Sequence, residues 1–146
     1  MKNLTVFYSE KGMTRSVAEK IAARIGTELF EIAEENPKRS LFGRKPKTLK
    51  PLPEAEEGLG HAVICLPIKS SGHLPSLARE FLAMQKGKLP HVSYVFVKRG
   101  AVKDMPQRIV ELDELLGVTF ERAAFIDPAD ARLEESIAAF ADGLNL

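Results

Sequence analysis

Seven consecutive residues carry the densest chemistry in the chain: Ser9-Glu10-Lys11-Gly12-Met13-Thr14-Arg15. They stand between an apolar run, Leu4–Tyr8, and an apolar stripe at helical spacing made by Met13, Val17, Ala18, Ile21, Ala22 and Ile25. A helix start presents unpaired backbone N–H groups and the positive end of its dipole, which suits a phosphate. Gly12 lets the backbone approach an anion closely, Ser9 and Thr14 offer hydroxyls, and Lys11 adds a cation. The same residues also suit a plain strand-to-helix turn in which Ser9 or Thr14 caps the helix.

Other combinations offer less. Ser9 and Arg15 have the spacing of a cysteine, five residues and an arginine, as in low-molecular-weight tyrosine phosphatases and arsenate reductases, and Asp127-Pro128 occurs late in the chain. That chemistry needs a thiolate nucleophile, and Ser9 is not one. The one cysteine, Cys65, lies inside an apolar run and reads as a small buried hydrophobe. Asp127 and Pro128 also suit a helix start, as cap and first helical residue. A receiver-type phosphorylation site needs acids at the ends of the first and third strands. Here those ends read Tyr8-Ser9 and Leu66-Pro67. His61, His73 and His91 are scattered, and no group of His, Asp or Glu has metal-ligand spacing.

The elements that must position the loop follow from apolar periodicity. Runs at Leu4–Tyr8, Leu29–Ile32, Ala62–Leu66, Val92–Val97 and Val118–Ile126 read as strands, most of them continuously apolar, as in a parallel sheet covered on both faces. Helical stripes alternate with them. One ends at Gly26; a second is Leu74, Leu77, Ala78, Phe81 and Leu82; a third is Met105, Ile109, Leu112 and Leu116, closed by Gly117; the last runs from Leu133 to Leu144. This order predicts one domain over residues 1–146 and a doubly wound α/β fold. The exception is the proline-rich connection from about Glu34 to Gly60, expected to be a loop with at most a short helix.

Two loops now resemble a known family. Phe7-Tyr8-Ser9-Glu10-Lys11-Gly12-Met13-Thr14 is similar to the flavodoxin phosphate loop, with Lys11 where a hydroxyl is usual. After the third strand, Pro67, Gly72 and Pro75 follow the order of proline, glycine and proline found in flavodoxin-like proteins, with Lys69 at the place of the usual aromatic. The resemblance implies a five-stranded parallel sheet of order 2-1-3-4-5 with helices on both faces, and FMN as cofactor. Carried over, Ser9, Glu10, Lys11, Gly12, Met13 and Thr14 form the phosphate side. Pro67, Ile68, Lys69 and Gly72 form one wall, and Lys98, Arg99 and Gly100 lie near the pyrimidine edge. The chain lacks tryptophan and offers no aromatic in either ring-side loop, so ring packing falls to aliphatic walls, His73 or backbone. The implied role is electron transfer through the flavin, as a carrier or a flavin-dependent oxidoreductase, with a redox protein as partner and no catalytic side chain of its own. The alternative is a flavin-free module of the same fold that binds another phosphate-bearing ligand or a protein partner.

Composition sets the remaining bounds. The chain has 146 residues and a net charge of +1. Lys38, Arg39, Arg44, Lys45, Lys47 and Lys50 cluster in residues 37–51 without an acid among them. Removing those six leaves 15 basic against 20 acidic residues, a net of −5, which argues against a general nucleic-acid binder and marks the segment as a candidate partner contact. No apolar run is long enough to span a bilayer, and no signal peptide is expected, because the N-terminal residues already read as a strand. One cysteine excludes an internal disulfide, and the cytoplasm is the expected compartment.

Overall fold

A computed structural model describes residues 1–35, 48–102 and 104–146. Five strands alternate with four helices: β1 (Lys2–Phe7), α1 (Met13–Ile25), β2 (Glu28–Glu31), β3 (Leu59–Pro67), α2 (Ser76–Met84), β4 (His91–Val97), α3 (Met105–Leu116), β5 (Arg122–Ile126) and α4 (Leu133–Asp142). The strands form a single parallel sheet in the order β2-β1-β3-β4-β5. The order expected from the family resemblance is the order observed.

The continuous apolar runs have a direct physical cause. Successive side chains of a strand point to opposite faces, so a sheet covered on both sides needs apolar residues at every position. In β3, Ala62, Ile64 and Leu66 pack with Ala78, Phe81 and Leu82 of α2 and Leu112 and Leu116 of α3. Val63 and Cys65 point the other way, against Val17, Ala18 and Ile21 of α1 and Ile137 and Phe140 of α4. The sheet is thus sandwiched between α2 with α3 and α1 with α4. Burial pushes the Cys65 thiol pKa well above its ordinary value, which leaves it inert as a nucleophile at neutral pH.

Of the boundaries that differ from those expected, two have a specific physical cause. The run Val118–Ile126 yields a strand only from Arg122. Gly117 closes α3 in a left-handed conformation, with its N–H and that of Val118 both donating to the Asp113 carbonyl. Val118 and Phe120 then pack on the core from the turn, and the Phe120 N–H donates to Asp113 Oδ1. The second difference concerns Asp127 and Pro128. They do not start α4, which begins at Leu133 after Arg132. Asp127 is engaged elsewhere, because its two oxygens accept backbone N–H groups from Gly100 and Ala129.

The long connection after β2 is closed at its ends. Glu34 and Leu49 form an antiparallel bridge, with the Glu35 N–H donating to the Thr48 carbonyl and the Lys50 N–H to that of Ala33. Lys38, Arg39, Arg44, Lys45 and Lys47 of the basic segment lie outside the described residues. Among the described residues no helix is long and apolar enough to cross a membrane.

Candidate functional site

Parallel strands deliver all their following loops to one edge of the sheet, and the reversal of chain direction between neighbouring connections opens a crevice there. In this chain the crevice lies where β1 and β3 adjoin, because the β1 connection runs outward to β2 and the β3 connection runs to β4. Backbone hydrogen bonds continue past the strand ends and set the loops side by side. Tyr8 donates its N–H to Cys65, Ile68 to Val97, and Lys98 to Ile126.

The first loop turns at Gly12, whose φ of 85° lies in the left-handed region, with open space where a Cβ would stand. Gly12 is the cap position of α1 and has no side chain to bond the freed N–H groups. Ser9 reaches forward instead: its Oγ accepts the N–H of Gly12 at 2.9 Å and that of Arg15 at 3.4 Å. The capping expected of Ser9 or Thr14 therefore falls to Ser9, and Thr14 is buried at 3 % exposure. Arg15 turns away from the loop. It pairs with Glu31 and lies over the Phe7 ring, 5.0 Å from its centroid, so it does not act as a phosphate-gripping arginine here.

The second loop, after β3, is a tight turn. Gly72 donates its N–H to the Lys69 carbonyl at 2.8 Å, and Lys69 donates to the His73 carbonyl at 3.0 Å. Arg108 of α3 braces this turn from behind, with Nη1 3.4 Å from the Gly72 carbonyl and 3.2 Å from His73 Nδ1. The third loop, after β4, is held by Asp127: Oδ2 accepts the Gly100 N–H at 3.0 Å and Oδ1 that of Ala129 at 2.8 Å. These two donors, with the Arg99 charge nearby, hold the Asp127 carboxyl below its ordinary pKa.

Together the three loops enclose a cavity of about 420 Å³. Glu10, Lys11, Met13 and Thr14 line it from the first loop and the start of α1, Pro67, Ile68 and Lys69 from the second, and Lys98 and Arg99 from the third. Nine of the residues singled out from the sequence thus meet in one space. The other four stand back from it: Ser9 and Gly12 shape the first loop, Gly72 faces Arg108, and Gly100 is tied to Asp127. Ser70, within the wall from Pro67 to Gly72, also lines the cavity, as does Val97, which was not singled out. Val97 was legible only as a strand residue, since its place in the wall depends on where β4 ends. Among the described lining residues none is aromatic.

Ser9 also lines an adjacent shallower hollow with Tyr8, Glu31, Glu34, Glu35 and Lys50. Partial burial, Glu10 and Glu34 raise the Tyr8 pKa, so the phenol stays neutral there. Of the histidines, His73 is at the site edge beside Arg108, and His61 and His91 lie at the opposite end of the sheet. Among the described residues no group of three or more His, Cys, Asp or Glu is arranged to hold a metal ion.

A parallel sheet of this order, with helices on both faces and a crevice beside the first loop, defines the flavodoxin-like fold, and this chain has it. A scan of family models and a search of curated proteins find no match. Solved structures match along nearly the whole length. Flavodoxin 2 from Bacillus cereus, in its oxidised form, is 19% identical with a TM-score of 0.67, over 97% of this chain and 96% of its own. A flavoprotein from Lactobacillus acidophilus, in complex with FMN, is 20% identical with a TM-score of 0.64, over 92% and 97%. A flavodoxin from Streptococcus pneumoniae is 17% identical with a TM-score of 0.60, over 97% and 96%.

Proposed function

We propose that this chain binds FMN at the cavity and serves in electron transfer. The observation that carries the reading is the convergence of the three loops on one cavity of about 420 Å³ beside the start of α1. The residues present fit the group. Gly12 gives a left-handed turn with no side chain in the way, the α1 start supplies backbone N–H groups, and Lys11 stands ready to pair with a phosphate. Pro67, Ile68, Val97 and Met13 supply apolar surface of the kind a flat ring buries. The Lactobacillus structure with FMN, on the same fold, is consistent with this assignment.

In this reading Ser9, Glu10, Lys11, Gly12, Met13 and Thr14 hold the phosphate side. Pro67, Ile68, Lys69 and Gly72 form one wall, and Lys98, Arg99 and Gly100 border the far edge. When bound, the flavin supplies the redox chemistry, and the protein contributes binding, orientation and charge. Arg108 and Asp127 orient the two walls through Gly72 and Gly100, so these loops need little reordering to accept a ligand. Lys98 is half-buried and Arg99 exposed, which sets positive charge beside the cavity.

One observation favours a second reading, a flavin-free module that takes another phosphate-bearing ligand: the absence of an aromatic among the described lining residues. Titration with FMN and with riboflavin separates the two. The flavin reading expects tighter binding of FMN, by about tenfold or more, because only FMN carries the phosphate. Equal binding of the two would remove the first loop from the account, and binding of neither would favour the second reading.

A further inference from the structure

Four cations ring the mouth of the cavity. Lys11 comes from the loop after β1, Lys69 from the loop after β3, and Lys98 and Arg99 from the loop after β4. Among the described residues none of the four forms an ion pair. Several surface cations elsewhere are matched: Lys2 with Glu28, Lys20 with Glu134, Arg24 with Asp142 and Arg79 with Glu111. Glu10 is the one carboxylate among the described lining residues, and the nearby Asp127, which accepts two backbone N–H groups, keeps its negative charge beside Arg99. With Asp127 counted the mouth carries a net +2 in a chain whose total is +1, and when Lys11 faces the flavin phosphate, Lys69, Lys98 and Arg99 remain for a partner.

We propose that this mouth is a docking face for a protein with an acidic surface patch. The proposal rests on the flavin reading for its purpose, because a partner seated there lies over the redox group. Geometry favours a protein over a small anion. Neighbouring strands are about 4.8 Å apart, so loops from β1 to β4 spread their cations over about 10 Å before side-chain length is added. A single phosphate is smaller than that spread, whereas a cluster of carboxylates on a protein surface matches it. Unpaired surface charges of one sign steer such an encounter and select its partner more than they add affinity, and salt weakens them.

The test is calorimetric titration of the purified chain with three probes, an acidic plant-type [2Fe–2S] ferredoxin, the basic cytochrome c and inorganic pyrophosphate, each with and without added FMN. The ferredoxin is expected to bind and to weaken about tenfold between about 50 and about 300 mM NaCl. A triple variant, Lys69→Glu, Lys98→Glu and Arg99→Glu, is expected to weaken it by about tenfold at low salt. The pair Lys86→Glu and Lys88→Glu, exposed at the opposite end of the sheet, is expected to change it less than about twofold. Lys69→Glu alone, in an exposed turn, keeps the test available should the triple variant fail to fold. The proposal is overturned if the folded chain does not bind the ferredoxin at low salt, if both sets of variants weaken it equally, or if cytochrome c binds more tightly. A response to inorganic pyrophosphate without ferredoxin binding overturns it in favour of a small-anion site. The flavin absorption bands in the same samples report FMN binding separately, so loss of that reading and loss of the docking face are distinguishable.

Discussion

Asp127 and Gly100 are joined across neighbouring loops, with Asp127 Oδ2 accepting the Gly100 N–H at 3.0 Å. The end of β5 thereby holds the loop that follows β4, and with it the backbone that carries Lys98 and Arg99 to the cavity. On the other wall Arg108 does the equivalent through the Gly72 carbonyl. Neither brace lines the cavity itself.

The first prediction concerns that brace. Asp127→Asn leaves one amide oxygen to serve two N–H groups, so the loop after β4 loosens and FMN binding weakens severalfold with the fold intact. The pH dependence follows the depressed pKa. Stability from the ionised carboxylate is fully present above its ordinary value of 3.8 and is lost as pH falls through the lower folded value. Urea melts in the acid range should therefore show a steeper loss for the parent chain than for Asp127→Asn. Superimposable curves would contradict it.

A second pH effect lies at the opposite end of the sheet. His61 is buried, with Nε2 2.8 Å from Ser93 Oγ, its ring stacked on His91, and Glu121 shared by both histidines. Desolvation lowers the His61 pKa, only partly countered by Glu121, and His91 lowers it further. A histidine depressed in the folded state makes the unfolded chain bind more protons. Its stability is complete above 6.5 and falls as pH drops from there through the folded value. Thermal melts from about pH 8 to about pH 5 should show this decline, and His61→Gln should flatten it.

Lys98 and Arg99 give a prediction about potential. Positive charge beside the ring favours its anionic reduced form and raises the reduction potential. The double variant Lys98→Gln, Arg99→Gln should lower the two-electron midpoint by on the order of 30 mV, equivalent to about 1.4 kcal/mol. Spectroelectrochemical titration reads this directly, and an unchanged midpoint would mean that both charges are spent in solvent.

Tyr94 tests the packing that supports the β4 loop. Its ring is buried between Phe96 and Phe120, and its hydroxyl donates to Asp113 Oδ1 at 2.7 Å. Burial raises the phenol pKa first and the Asp113 carboxylate adds to it, so the hydroxyl remains a donor. Tyr94→Phe keeps the ring and removes the bond, at a cost of about 1–2 kcal/mol in a urea denaturation series.

What could be read from residue order was what depends on neighbours in sequence. Ala62–Leu66 and Val92–Val97 announce buried parallel strands because every position must face a helix layer. Gly26 and Gly117 announce helix ends because each adopts the left-handed turn that closes one. The Ser9–Thr14 stretch announces a loop before a helix for the same local reason. Bonds between distant residues were not legible in this way. Asp127 looked like a helix cap beside Pro128, yet its partner Gly100 is 27 positions away. Val118 and Phe120 looked like strand residues because burial from a turn and burial from a strand leave the same apolar signature. Arg15 had the spacing of a phosphatase arginine, and its pairing with Glu31 of β2 was not legible from its neighbours.

The central claim is that the cavity takes FMN through the loop after β1. A fluorescence titration of FMN against the parent chain and against a Gly12→Val, Thr14→Ala variant tests it most directly, with circular dichroism confirming that both are folded. Gly12→Val forces a β-branched residue into a left-handed turn, and Thr14→Ala removes the hydroxyl at the start of α1. The account predicts saturable quenching for the parent chain at or below tens of micromolar FMN, and at least about tenfold weaker binding for the variant. Identical titrations of the two, or no quenching by the parent chain, would contradict it.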